Sequence, residues 1–434
     1  MCRDIICIAV LLIFTLYLHG CAVVNHVQLQ YRQYPIQPED KIEKNKFSIL
    51  KKDDVIGRPA VIRLKKGDTL PDIARHFGLG IKEISAANPD VDVWVPDGGR
   101  RIILPLSFIL PDAHRRGIVI NLAAMRLFQF RGKNNSESLI VWTYPVGIGS
   151  AERPTPLGET YVKRKIKRPT WHVPASIADD HRKKGDPLPE KVPPGPLNPL
   201  GEYALYLNIP GYLIHGTNKP SSIGLKATNG CMRLYPEDVK KLYENTPVKT
   251  PVCIVNQPYL IGQRDGVFYL EVHPTLDDSN AVELEKTYAK LRKIEKQWAR
   301  KVNWRKVEEA VAEARGIPVP ILELREGSVK EAAEFVEVTH PGKFHGEPEV
   351  PELNMEAWYV LAAEEREESD ALRTAAMINH QGPPIPARVL PTDNIYRVVA
   401  GPFGNVGEAE DAAKRLKIDL GIEGKLIEPV RGKQ

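Results

Sequence analysis

The run Ala227-Thr228-Asn229-Gly230-Cys231-Met232-Arg233-Leu234 decides how this chain is read. A thiol is a good nucleophile at neutral pH only beside a base or another source of positive potential. His215, in Leu213-Ile214-His215-Gly216-Thr217, lies sixteen residues upstream and can supply that base. Gly230 lets the backbone approach a substrate carbonyl closely. Arg233 adds positive charge two residues after the thiol. Each element is weak alone; together they read as a cysteine acyl-transfer site.

The rest of the chain sets the context. With 434 residues, roughly two to four domains are expected. The net charge of +5 is modest but uneven. Residues 340–434 hold 11 Lys and Arg against 16 Asp and Glu, so the preceding part carries about +10. That asymmetry points to an anionic partner for the first two thirds. No dense basic stripe with interleaved aromatics is present, so nucleic acid is not expected as a partner.

Arg3 precedes an apolar run from Ile5 to Leu18. Its length is short for a membrane span and right for the apolar region of a signal peptide. Leu18-His19-Gly20-Cys21 follows and resembles a bacterial lipobox. The resemblance implies that residues 1–20 are removed and Cys21 carries lipid, with Ala22 matching outer-membrane sorting. A plain cleaved signal and an uncleaved anchor are the alternatives. Residues 21–59 are expected to be a polar tether. Of five cysteines, Cys231 and Cys253 then remain. Cys253 sits in a β-branched run, Pro251-Val252-Cys253-Ile254-Val255, that reads as a buried strand. A Cys231–Cys253 disulfide would suit an oxidising compartment but would disarm the nucleophile. No Cys/His cluster has zinc spacing, so neither metal nor cofactor is expected.

Three modules emerge from the patterning. Residues 60–106 read strand–helix–helix–strand, with Lys66-Gly67-Asp68-Thr69-Leu70 before the first helix and Asn88-Pro89 ending the second. This unit resembles the LysM module, and the resemblance implies a glycan groove lined by Gly67, Asp68, Thr69, Asn88 and Pro89. Asp68 or Thr69 can equally cap the helix. Residues 354–430 read βαββαβ. With Tyr396-Arg397-Val398-Val399-Ala400-Gly401-Pro402-Phe403 they resemble the SPOR domain, whose ligand is peptidoglycan glycan stripped of stem peptides. The resemblance would place Tyr359 and Tyr396, or their neighbours, on the ligand face or in the core. Between the second and third modules, residues 257–350 read as a strand extension, one or two amphipathic helices near 281–315, and a Pro-rich linker from Gly342 to Pro351.

Residues 116–256 carry mostly strand signals. They resemble the YkuD-type L,D-transpeptidase domain through Pro154-Thr155-Pro156-Leu157-Gly158, Pro169-Thr170-Trp171, Asn198-Pro199-Leu200-Gly201, Ile214-His215-Gly216-Thr217 and Asn229-Gly230-Cys231-Met232-Arg233. Tyr269-Leu270-Glu271-Val272-His273-Pro274 extends the likeness toward a lipid-anchored or periplasmic branch. The implied fold is multidomain: a mostly-β catalytic domain, a small βααβ LysM module and an α+β SPOR-like domain.

The implied activity is acyl transfer on a peptidoglycan tetrapeptide stem. Cys231 would be the nucleophile and His215 its base, with the Gly216 carbonyl fixing the imidazole tautomer. The Gly230 and Cys231 N–H groups would form the oxyanion hole. Arg233 would prop the loop or hold a substrate carboxylate. Trp171, Thr228 and Asn229 would face substrate, although Trp171 could instead be core. Here the family's usual Ser/Thr-His-Gly-Cys becomes Thr228-Asn229-Gly230-Cys231, so the second histidine is missing. His172, His181 and His273 read as surface or structural. A hydrolase on the same scaffold and a decayed wall-tethering protein are the rival readings. Expected partners are peptidoglycan, the membrane through lipid on Cys21, and outer-membrane lipoproteins or division proteins.

Overall fold

A computed structural model of the chain describes residues 35–132, 137–276, 280–323 and 335–430. The signal segment and Cys21 lie outside the described residues. At the centre is a nine-stranded sheet. Its strands, in chain order, are β1 (Lys46–Leu50), β2 (Gly117–Asn121), β3 (Arg126–Arg131), β4 (Ser138–Pro145), β5 (Gly158–Lys167), β6 (Tyr203–Leu207), β7 (Leu213–His215), β8 (Met232–Arg233) and β9 (Pro251–Val255). The spatial order is β8-β7-β6-β5-β9-β2-β3-β4-β1. The β9–β2 and β7–β8 pairs are parallel and the other ladders antiparallel.

Strand alternation divides this sheet between two cores. Ile118 and Ile120 of β2 pack with Leu205, Ile214 and Met232, against Val239 and Leu242 of a helix over Pro236–Asn245. Val119, Phe128, Phe130 and Val141 face the other way. There they pack with Ile62, Leu70, Ile73 and Phe77 of the LysM module, whose helices are α1 (Leu70–Phe77) and α2 (Ile81–Ala87). The unit over residues 60–106 is thus seated directly on the nine-stranded sheet. Arg126 crosses this seam and pairs with Glu83 of α2.

The expected tether is partly folded. Residues 46–50 form the edge strand β1, paired with β4, and Val55–Gly57 pairs with Ser107–Ile109. The reason is apolar content that the polar average of this stretch conceals: Phe47, Ile49, Val55 and Ile56 are all buried. The linker also differs from expectation. Val336–Val338 runs parallel to Ala60–Arg63, and Ile36–Gln37 pairs beyond it, so the LysM sheet has four strands. Ala60, Val61 and Ile62 are inaccessible to solvent, and their free edge requires a partner. Residues near 281–315 form two helices, Asn280–Trp298 and Trp304–Glu313, which cover a three-stranded sheet over Tyr259–Arg264, Val267–Val272 and Val319–Pro320.

The SPOR domain has the expected βαββαβ order. Helices Glu368–Asn379 and Val406–Leu420 pack on one sheet face through Ala371, Ala375, Ala409 and Leu416. Tyr396 lies on that covered side with Val398 and Ala400. Tyr359 faces the other side with Leu361, Leu390 and Val399, and its hydroxyl accepts the Asn354 N–H at 2.8 Å. The two tyrosines therefore do not share a face, as period-two alternation along each strand requires.

Candidate active site

Strands β7 and β8 pair in parallel with Ile214 opposite Met232 and His215 opposite Arg233. Ile214 and Met232 both enter the core on one side of the sheet. Alternation therefore turns His215 and Arg233 to the opposite side, and Cys231, two residues before Arg233, goes with them. The Leu234 N–H donates to the His215 carbonyl at 2.9 Å and closes the pair. Gly147 and Arg233 exchange two backbone hydrogen bonds of 2.9 Å. A Cβ on Gly147 would meet the Ser222 carbonyl oxygen at 2.8 Å, so only glycine allows that approach.

The Cys231 loop is held by hydroxyls. Thr228 Oγ1 donates to the Cys231 carbonyl at 2.6 Å and accepts the Gly230 N–H at 3.1 Å. Thr155 Oγ1 donates to the Gly230 carbonyl at 2.9 Å and accepts the Gly149 N–H at 3.0 Å. Gly230 has φ +101°, and a Cβ there would lie 2.7 Å from the Tyr212 ring. Both facts demand glycine. The Gly230 N–H, expected in the oxyanion hole, is thus satisfied by Thr228 in the resting loop. Those bonds make Thr228 an anchor of the loop.

Burial dominates the electrostatics. It drives the His215 pKa down to about 3, with nearby Arg233 adding to the effect. The backbone groups of Gly216 and Leu200 act the other way. His215 Nδ1 is buried without a well-formed partner, as is Arg233 Nε. Burial also raises the Cys231 thiol above its ordinary value, opposed by the Leu213 backbone and Arg233. Sγ lies 3.5 Å from the Gly211 carbonyl oxygen. Both shifts favour a neutral imidazole and a neutral thiol near pH 7. Alkylation of Cys231 by iodoacetamide is expected to accelerate up to and beyond about pH 9, with no inflection between about pH 5 and 8. An inflection near pH 6 would instead reveal a preformed thiolate–imidazolium pair.

Other expected residues fall elsewhere. Trp171 is half-buried on a separate flap, where Trp171–His172 pairs with Lys191–Val192. The Cys231 loop instead meets Tyr212, Thr155 and Arg153. Asn229 Oδ1 accepts from the Arg153 guanidinium. No charge or spacing signal marked Arg153, because its partners are 76 and 27 residues away in sequence. Cys253 is a free thiol on β9, so no disulfide joins it to Cys231. Of the histidines read as structural, His273 is buried against Glu271 at 2.6 Å.

The LysM residues are engaged internally. Asn88 is buried; its Nδ2 donates to the Ile84 and Ile103 carbonyls and its Oδ1 accepts the Ile103 N–H. That clasp spends both N–H donors and one of the two acceptor lone pairs of its amide on the module itself. Thr69 is buried as the cap of α1, accepting the Asp72 N–H at 3.2 Å. Asp68 accepts the Lys65 N–H at 2.7 Å and pairs with His340 at 3.1 Å. Gly67, at φ +96°, has open space around it, and Pro89 is exposed. Of the expected groove residues, Gly67, Asp68 and Thr69 border a cleft of about 280 Å³ whose other wall is the SPOR domain, through His380 and Arg388. His380 pairs with Asp72 at 3.1 Å, and Arg373 pairs with Asp92 at 2.9 Å.

Comparison with known proteins matches three stretches to family models, in the order read from the sequence. They are a LysM domain over 62–104, an L,D-transpeptidase catalytic domain over 115–254 and a SPOR domain over 354–427. The chain is 37% identical over 263 residues to "Probable L,D-transpeptidase ErfK/SrfK" of Salmonella typhimurium, covering 60% of this chain and 79% of that protein. It is 40% identical over 231 residues to "Probable L,D-transpeptidase YbiS" of Escherichia coli (strain K12), covering 52% and 74%. It is 34% identical over 271 residues to "Probable L,D-transpeptidase YcfS" of the same strain, covering 61% and 79%.

Proposed function

This chain belongs to the L,D-transpeptidase family, and from that membership we propose that Cys231 is its nucleophile and a peptidoglycan tetrapeptide stem its donor. Its LysM and SPOR domains are peptidoglycan-binding modules. The observation that carries the reading is the parallel register of β7 and β8, which turns His215, Cys231 and Arg233 to one side of the sheet.

In the proposed reaction, neutral His215 takes the Cys231 proton as Sγ adds to the carbonyl that joins an L-centre to the terminal D-Ala. The C–N bond breaks, D-Ala leaves with the proton from the imidazolium, and a thioester forms. An amine of a second stem then attacks the thioester and gives a proton to His215. The C–S bond breaks, and the thiolate recovers its proton from the imidazolium. Arg233, buried without a partner for Nε, supplies positive charge beside the developing anion. Muropeptide mass spectrometry after incubation with tetrapeptide-rich peptidoglycan tests this. Crosslinked stems with loss of D-Ala support transfer; shortened stems alone would assign a hydrolase.

We also propose that the chain is exported to the periplasm and anchored to the outer membrane through lipid on Cys21. The lipobox-like Leu18-His19-Gly20-Cys21 supports this. Cells fed radiolabelled palmitate are expected to label the wild-type chain and not Cys21→Ala. Equal labelling of both, or labelling of neither, would overturn the anchor.

A further inference from the structure

We propose that Arg153 is a positioning residue for the catalytic loop, holding it in register with the neighbouring flap through Asn229. The inference deepens the reading of Cys231 as nucleophile and rests on it. Arg153 Nη1 donates to Asn229 Oδ1, two residues before Cys231, and Nη2 donates to Asp180 Oδ2 at 2.7 Å. Asp180 belongs to the flap helix Ala175–Lys183. One guanidinium, with its fixed fork of donors, thus spans loop and flap.

Three features make this bridge consequential. First, its base is fixed: a Cβ on Gly149 would lie 2.3 Å from the Arg153 carbonyl oxygen, so the turn carrying Arg153 packs directly on the backbone beside β4. Second, the same segment grips the loop again, since Thr155 donates to the Gly230 carbonyl. Residues 153–155 therefore hold the Asn229 side chain and the Gly230–Cys231 peptide together, and with them the approach of Cys231. Third, the flap helix has no buried residue. A helix that buries no apolar face draws little stability from packing. Its place is set by polar contacts: Asp180 to Arg153, and Asp186, just after the helix, to Lys414 of the SPOR domain at 3.4 Å. Asn229, standing where the family usually has histidine, serves here as the acceptor of this clamp.

The test uses the full chain with a soluble tetrapeptide-bearing muropeptide as donor. Arg153→Ala is expected to lower kcat on the order of 10- to 100-fold with KM changed less than about threefold, since misplacing a reacting group by about 1 Å costs on that scale. Arg153→Lys, which can keep one contact, is expected to fall between. Asn229→Ala is expected to cost as much as Arg153→Ala, and the double variant no more than either. The melting midpoint of Arg153→Ala is expected to stay near wild type, because Arg153 and Asp180 are 33% and 47% exposed. Unchanged kcat, an effect confined to KM, or additive losses in the double variant would overturn the clamp. Cys231→Ala runs alongside: if that variant keeps activity, the nucleophile assignment fails. A Cys231-dependent enzyme indifferent to Arg153 sinks only the clamp.

Discussion

Cys231→Ala is expected to abolish crosslinked stems from tetrapeptide-rich peptidoglycan, a loss on the order of 10³-fold or more. Among the described residues the other free cysteine, Cys253, lies on β9 in the middle of the sheet, with its thiol pushed up by burial and by Glu159. A scaffold effect is not expected either. Sγ makes a long contact to the Gly211 carbonyl, and the loop is held by the Thr228 and Thr155 hydroxyls, which the substitution leaves intact. Muropeptide mass spectrometry should therefore show no dimers while the circular dichroism melt is unchanged. Dimers persisting at a tenth of the wild-type level would remove Cys231 from the chemistry.

Glu83→Ala is expected to destabilise the seam between the LysM module and the catalytic sheet by about 3–5 kcal/mol, the usual cost of stranding a buried charge. Arg126 is 1% exposed and Glu83 8%. The guanidinium donates to Glu83 at 2.9 and 2.6 Å, to the Gly78 carbonyl at 3.0 Å and to Thr143 Oγ1 at 3.2 Å, and lies over the Phe108 ring at 4.0 Å. Removing the carboxylate leaves the charge in place with neutral acceptors only. It also frees the Gly80 N–H, which Glu83 caps at 2.9 Å. Replacing both partners by methionine should recover much of the loss, because no uncompensated charge then remains. Thermal and urea melts of the full chain would measure both variants. A Glu83→Ala midpoint matching wild type would mean that the seam does not depend on the pair.

How much could be read in advance follows from which interactions are local. The helix over Leu70–Phe77 announces itself through Thr69, its cap, and through Ile73, Ala74 and Phe77 at helical spacing. The βαββαβ order of residues 354–430 is equally local, since each element carries its own period. The proposal of Cys231 as nucleophile and His215 as base starts from sequence, because glycine, cysteine, histidine and arginine in that pattern have few other uses. Pairings between distant segments were not legible. Val336–Val338 reads as linker until Ala60–Arg63 offers it an edge, and β1 reads as tether until β4 does. A two- to five-residue strand has too short a period to be seen alone.

The site divides the same way. Sequence by itself determined the chemical types present: a thiol, an imidazole, a guanidinium and the glycine that must precede the thiol. Only the tertiary structure decided their state and their company. Burial at the β7–β8 pair favours a neutral His215 imidazole and leaves Arg233 Nε without a hydrogen-bond partner, and desolvation is a property of the whole surrounding fold. The fold likewise spends Asn88 and Thr69 on the LysM module itself and brings Arg153 to Asn229 across 76 residues. Hydrogen bonds and ion pairs reach only a few ångströms, so which groups meet depends on how the chain folds back and not on their spacing along it.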